Sequence, residues 1–326
     1  MFSYRKILRQ ALDITWKNKY LWFFGLFATL IGTGGEYQLL NNISEGNGEK
    51  TFFNLSSSPW LDIATWNNIV TYFSSNYWQA LFSVIVLIII AALAIFIIIL
   101  SVTSQGALVH QTEKIANKKT KDSNLSAGTL AGQKHFWPVL GVNIGLKIVI
   151  SLMFALMALP IILSGGLIGS VAAYVVLFLL FIPVIISFSL VARYAIGFIV
   201  IKKNKFSEAL DNGWELFRKN WVVSIEMAIL LILINILFAL GVLIIIFLVS
   251  APFLILSFIF SSFAIFWLFA FLGLAVLFLS IIAFGAMITT FQISAWTLLF
   301  LSLLENKGKS KIKRLKDKEK AGKRKK

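Results

Sequence analysis

The sequence predicts an all-α, polytopic integral membrane protein with about six transmembrane helices, arranged as three hairpin repeats with amphipathic helices at the membrane surface. Of its 326 residues, 59% are hydrophobic and 13% are charged, whereas a soluble domain is about 45–50% apolar and about 25% charged. Several apolar stretches also reach the length of about 20 residues that a membrane-spanning helix needs. Finally, the net charge is +16, and in so apolar a chain such an excess is typical of membrane topology.

Six apolar segments are predicted to cross the membrane, at about 16–33, 80–104, 138–163, 166–192, 222–249 and 253–288. A long loop, 34–79, separates the first two spans. The last apolar stretch, 253–304, is too long for one helix. By analogy with the preceding unit, we expect a turn at Ser250–Pro252, one span, and then a helix lying on the inner surface at 291–304.

Lysine and arginine decide the orientation, because segments rich in these residues stay in the cytoplasm. Five lie in 1–19, five in 105–137, six in 193–220 and twelve in 305–326, whereas the loop 34–79 holds one lysine and four acids. We therefore expect a multi-pass protein of the cell (plasma or inner) membrane with both termini cytoplasmic. Residues 1–304 form the membrane domain, and 305–326 form a disordered polybasic tail.

The expected partners follow from this charge distribution. Anionic lipid at the inner face attracts basic segments by about 1 kcal/mol per residue, so membrane lipids are the first expected partner. An unidentified membrane protein is a second. We do not expect the tail to bind the ribosome or nucleic acid.

Basic, amphipathic segments precede the outgoing spans and indicate an internal repeat. In 205–221, Phe206, Gly213 and Phe217 lie on one helical face, opposite the charged residues. Residues 2–15 follow the same pattern, and 125–137 is a weaker copy. The interval from Trp137 to Trp221 is repeated between Trp221 and the end of the apolar sequence. We expect the apolar faces of these segments at the headgroup boundary.

Two ionisable side chains fall inside predicted spans and are therefore candidate functional residues. Lys147 lies about 13 Å into the third span and Glu226 about 7 Å into the fifth, at about 1.5 Å per residue. Asn143 lies one turn from Lys147. One interpretation pairs Lys147 with Glu226 across the bundle along a polar pathway. The other lets both side chains extend to the interface, which is also the role expected of Arg193.

Glycine and proline indicate packing. Two pairs, Gly141 with Gly145 and Gly165 with Gly169, have the small-xxx-small spacing of close helix contacts. We expect contacts within one chain, with dimerisation as the alternative. Pro183 falls within the fourth span and is predicted to kink it.

Catalytic groups are scarce. The chain has no cysteine, and its two histidines, His110 and His135, are too far apart to form a metal site on one helix. No phosphate-binding glycine loop or nucleophile elbow is present. We expect neither enzymatic activity nor a cofactor or metal.

The segments ALDITWKNKYLWFFGL (11–26) and SQGALV (104–109) resemble bacterial six-helix membrane proteins. These are similar to the membrane domain attached to some glycerophosphoryl diester phosphodiesterases, and the resemblance would cover about 1–304. It implies a six-helix membrane fold. Those enzymes carry their active site on a separate soluble barrel, which this sequence does not contain, so the resemblance implies neither phosphodiesterase activity nor any functional residue here.

Three functions are compatible with the sequence. The first is a non-enzymatic membrane scaffold or accessory subunit. The second is a transporter or channel component in which Lys147 and Glu226 line a polar pathway. The third is an insertase-like factor whose tail binds the ribosome.

Overall fold

A computed structural model of the protein describes residues 4–30, 77–118, 124–164, 168–259 and 263–305, and these segments contain α-helices and no strand. The helices, in chain order, are α1 Tyr4–Lys17, α2 Leu21–Thr29, α3 Tyr77–Ala116, α4 Leu125–Lys134, α5 Phe136–Ser164, α6 Ile168–Lys202, α7 Phe206–Ile259 and α8 Phe263–Leu304. The loop 34–79 lies almost entirely outside the described residues, as does the tail beyond Glu305.

Within the described ranges, the helices long and apolar enough to cross a membrane are α3, α5, α6, α7 and α8. The protein is therefore an all-α, multi-pass membrane protein, but the described chain gives five spans rather than six. The predicted first span, 16–33, falls on the end of α1 and on α2, which has nine residues. A helix of that length extends about 14 Å, less than half of an apolar layer about 30 Å thick.

Two further expectations about the C-terminal third are wrong. The turn expected at Ser250–Pro252 is absent, because α7 continues through Pro252 to Ile259. The surface helix expected at 291–304 is instead the last part of α8, which is one helix from Phe263 to Leu304. In this part Ala295 and Leu299 are fully buried. The segment continues α8 because its apolar side chains pack on the other helices.

Buried side chains are concentrated at one end of the bundle. Most of them fall within 4–28, 101–112, 128–132, 139–150, 190–200, 209–231 and 286–303, which we call the packed part. Here α8 packs against α1, α2, α3 and α7, while α6 packs against α5 and α7. Since adjacent long helices run in opposite directions, the C-terminal parts of α3, α6 and α8 meet the N-terminal parts of α5 and α7.

The remaining parts of the long helices are apolar and exposed. We call 81–99 of α3, 175–188 of α6, 232–259 of α7 and 265–281 of α8 the apolar arms; most of their large hydrophobic side chains are exposed. In α3 the most apolar window contains no buried residue. Such a surface is stable only when lipid or another apolar partner covers it.

The basic leading segments are helical and pack against protein. Helix α1 buries Tyr4, Ile7, Ala11 and Ile14 and packs against α8. In α7, helical geometry is interrupted at Asn220 (φ −129°, ψ 29°), which separates 206–219 from the long apolar part. The face of 206–219 that is buried contains Ala209, Gly213 and Phe217. The buried residues of the apolar face of α1 therefore contact protein rather than the lipid headgroups we expected, and the three-unit repeat stays a prediction.

Glycine permits two very close helix contacts in the packed part. A β-carbon on Gly132 of α4 would lie 2.1 Å from the backbone oxygen of Thr103 in α3. A β-carbon on Gly25 of α2 would lie 2.2 Å from the backbone oxygen of Ala286 in α8. No side chain fits at such distances, so these glycines fix how closely α4 and α2 approach their neighbours.

Candidate functional site

A cavity of about 570 Å³ lies where the packed part meets the apolar arms. Five helices line it: α2, α3, α5, α6 and α8. The polar lining includes Gln105, Asn143, Lys147, Ser151, Ser189, Arg193, Thr289 and Gln292. A volume of this size is typical of small-molecule sites, in which a few polar groups fix the orientation of the ligand.

The polar groups of the cavity lie at a similar depth on separate helices. Gln105, Arg193 and Gln292 lie roughly three turns before the C-terminal ends of α3, α6 and α8. Lys147 lies roughly three turns after the start of α5. At about 1.5 Å per residue, these positions are about 14–18 Å from the helix ends on the packed side. The bundle thus brings two cations and two amides together at a similar depth within helices that are long and apolar enough to cross a membrane.

The charged residues described on the lining of the cavity are both cations. Lys147 and Arg193 are among its described lining residues, and no aspartate or glutamate is. Two cations on one cavity attract an anionic group.

Aromatic side chains hold Arg193 in position. Its guanidinium carbon lies 5.0 Å from the ring centroid of Trp296, a cation–π distance. The neighbouring Tyr194 is buried, and its hydroxyl lies 2.6 Å from the Ser224 hydroxyl oxygen. Tyr194 also stacks on Phe300, with ring centroids 6.4 Å apart. These contacts connect α6 to α7 and α8 at the residue next to Arg193.

Amide side chains are held by one another. Asn143 Nδ2 donates to Gln105 Oε1 at 2.8 Å and to the carbonyl of Val139 at 3.0 Å. Gln292 Nε2 donates to Asn235 Oδ1 at 3.0 Å. The first pair joins α5 to α3, and the second joins α8 to α7. Hydrogen bonds between helices therefore hold these polar side chains of the cavity in place without a ligand.

The structure does not bring Lys147 and Glu226 together. Lys147 lies on the cavity, but Glu226 is not among its described lining residues. The Glu226 carboxylate instead accepts a hydrogen bond from the Tyr4 hydroxyl, which links α7 to α1. Asn143 does share the cavity with Lys147. Arg193, which we expected to act as an interfacial anchor, is the second cation of the cavity.

The structure gives a close contact at Gly141 but none at Gly145, and it leaves α6 continuous at Pro183. A β-carbon on Gly141 would lie 3.1 Å from the Phe206 ring, but one on Gly145 would have no described atom within 4 Å. Gly145 therefore makes no close contact within the described chain. Gly165 lies outside the described residues, and of Gly169 only its place in α6 is described. Helix α6 continues through Pro183 without a break.

Sequence reasoning missed Arg193, Gln105 and Gln292 as members of one site. Each is a strongly polar residue within a helix that also spans the apolar layer. Their similar distance from the ends of their helices was a usable signal. This signal could be used only once the helix bounds were known, because the predicted second, fourth and sixth spans ended before Gln105, Arg193 and Gln292.

Comparison of the chain with protein-family models, with curated proteins and with solved structures found no match. The resemblance to the membrane domain of glycerophosphoryl diester phosphodiesterases therefore stays a prediction.

Proposed function

We propose that this chain is a non-enzymatic transporter component that binds a substrate with an anionic group in the cavity between α2, α3, α5, α6 and α8. One observation carries the proposal: Lys147 and Arg193 line the cavity, and no carboxylate is among its described lining residues. This modifies the transporter hypothesis from the sequence, since Arg193 replaces Glu226 as the partner of Lys147 along the polar pathway.

The size of the expected electrostatic effect can be estimated from Coulomb's law. At an effective dielectric constant of about 20, two unit charges about 6–8 Å apart interact by about 2–3 kcal/mol. About 1.4 kcal/mol changes a rate tenfold. An anion in the cavity should therefore react at least about tenfold faster than a matched cation.

The absence of cysteine makes this effect measurable. We replace the cavity residue Ser189 with cysteine and react it with methanethiosulfonate reagents that carry either a sulfonate or a trimethylammonium group. The ratio of the two rates is normalised to that of Thr129→Cys, a partly exposed position on α4 that does not line the cavity. We expect the anionic reagent to be favoured, and Lys147→Gln to lower the ratio about tenfold. Lys6→Gln, on the exposed side of α1, is the matched control.

Movement of substrate is tested with the same thiol in sealed proteoliposomes of defined orientation. In a transporter, Ser189→Cys should react with impermeant reagent added to either side, because the site must open to both. Reaction from one side only would refute transport, and a rate ratio equal to that of Thr129→Cys would refute the anionic site.

A membrane scaffold or accessory subunit is the second candidate. The observation that favours it is the unburied apolar window of α3, which a protein partner could cover as well as lipid does. Modification from one side, together with a stable co-purifying membrane protein, would support this function. The insertase-like hypothesis depends on the tail 306–326, which lies outside the described residues.

A further inference from the structure

The mouth of the cavity borders the lipid-facing surface of α5. Asn143, Lys147 and Ser151 follow one another at intervals of four residues and line the cavity. Directly beside them, Ile144, Ile148 and Leu152 form a parallel apolar stripe, and these side chains are 48%, 61% and 55% exposed. Neighbouring residues on a helix point about 100° apart. One helix thus presents cavity on one side and lipid on the other.

The rim of the cavity formed by the end of α2 also joins the polar lining to exposed apolar surface. Thr29 and Leu30, at the end of α2, line the cavity and are exposed. The apolar arms begin beyond this rim, so an apolar surface continues outward from the polar cavity. A ligand at this mouth can place a polar group against the cations while its apolar part stays among the arms.

Hydrogen-bond donors in the cavity suit a phosphate group. Lysine and arginine are the usual binders of phosphate oxygens. The Gln105 side-chain oxygen accepts from Asn143, which orients its amide nitrogen as a further donor. Ser151 and Ser189 add hydroxyl groups to the lining. The donors come from α3, α5 and α6 and converge on one space.

We infer that the ligand is a membrane lipid with an anionic phosphate headgroup, which enters sideways between α2 and α5. The headgroup lies against Lys147 and Arg193, and the acyl chains lie along the Ile144–Ile148–Leu152 stripe. This inference rests on the proposed function and specifies its substrate class. A free phosphate ion shares the headgroup chemistry but has no apolar part to contact the apolar stripe.

The experiment measures protection of Ser189→Cys against a neutral maleimide in the full chain. The protein is placed in nanodiscs of phosphatidylcholine, alone or mixed with phosphatidic acid, and a third sample receives inorganic phosphate in phosphatidylcholine discs. We expect phosphatidic acid to slow modification about tenfold and inorganic phosphate to have little effect. Thr129→Cys should react at one rate throughout.

Two substitutions distinguish the headgroup from the acyl chains. Lys147→Gln should abolish protection by phosphatidic acid, whereas Lys6→Gln should retain it. Ile148→Gln interrupts the apolar stripe and should weaken protection by the lipid, whereas Leu179→Gln, on the apolar arm of α6, should not. Retained charge selectivity of Ser189→Cys verifies that the Lys6→Gln, Ile148→Gln and Leu179→Gln variants are folded, and an unchanged thermal unfolding midpoint does so for Lys147→Gln.

The outcomes separate the two proposals. Protection by inorganic phosphate but not by phosphatidic acid would overturn the lipid inference and leave the anion site standing. Protection by neither, with charge selectivity intact, would also overturn it. If Ser189→Cys without any further substitution showed no charge selectivity, the proposed function itself would be refuted.

Discussion

Substituting alanine for the glycines of the packed part gives a graded test of how closely the helices approach. At Gly132 a β-carbon would lie 2.1 Å from the backbone oxygen of Thr103, and at Gly106 it would lie 3.3 Å from the α-carbon of Gly132. At Gly145 no described atom lies within 4 Å. All three residues are in helices, so the same gain in helix propensity applies to each.

The expected changes in the free energy of unfolding follow from two opposing effects. Alanine in place of glycine favours a helix by about 1 kcal/mol, and forcing a methyl group into a packed site costs about 1–3 kcal/mol. Gly145→Ala should therefore gain about 1 kcal/mol, and Gly106→Ala should change little. Gly132→Ala should lose about 2 kcal/mol, because the obstructing atom belongs to the backbone and α4 must move away from α3.

Thermal unfolding in mild detergent, followed by tryptophan fluorescence, measures this order. At about 2 °C per kcal/mol for a large chain, Gly132→Ala should unfold about 6 °C below Gly145→Ala. Equal midpoints for these two variants would refute the close contact of α3 with α4. A destabilised Gly145→Ala would instead point to a packing partner that the single chain does not provide.

Three further outcomes are expected. Tyr4→Phe should lower the unfolding midpoint by the loss of about 1.5–3 kcal/mol, since the Tyr4 hydroxyl donates to the Glu226 carboxylate; a midpoint equal to that of the unsubstituted chain would show that this bond contributes nothing. Gly285→Leu should fill the cavity and block modification of its thiol reporter, because Gly285 lines the cavity and its β-carbon position is open; Gly241→Leu is the control at an equally open position outside it. Deletion of 306–326 should leave ribosome co-sedimentation unchanged, and loss of co-sedimentation would favour the insertase-like hypothesis.

Helical class and membrane location were predictable because they depend on local properties of the sequence. An apolar stretch such as 81–100 is recognisable from composition alone, and no distant residue is needed to explain it. The amphipathic segment 206–219, which ends at the interruption at Asn220, was also predictable from a local pattern, because its charged face lies opposite Gly213 and Phe217. The error in the number of spans arose at α2, which is apolar but has only nine residues, whereas across Pro252 only the position of the turn was wrong.

The cavity was only partly predictable. Lys147 and Asn143 were identified because polar residues in apolar spans are costly. Their partners were not identified, because proximity across helices depends on which helices are neighbours and on their relative rotation. Glu226 was assigned to the same pathway by depth alone, whereas the rotation of α7 directs its carboxylate to Tyr4.

The sequence by itself therefore determined that this protein is helical, that it crosses the membrane several times and that a few polar residues lie within its spans. The tertiary structure decided that α3, α5, α6 and α8 carry their polar groups to one level, and that Arg193 shares a cavity with Lys147. It also decided that close contact occurs at Gly25 and Gly132 rather than at Gly145. The physical reason is that hydropathy is summed along one helix, whereas a binding site requires groups from several helices to converge.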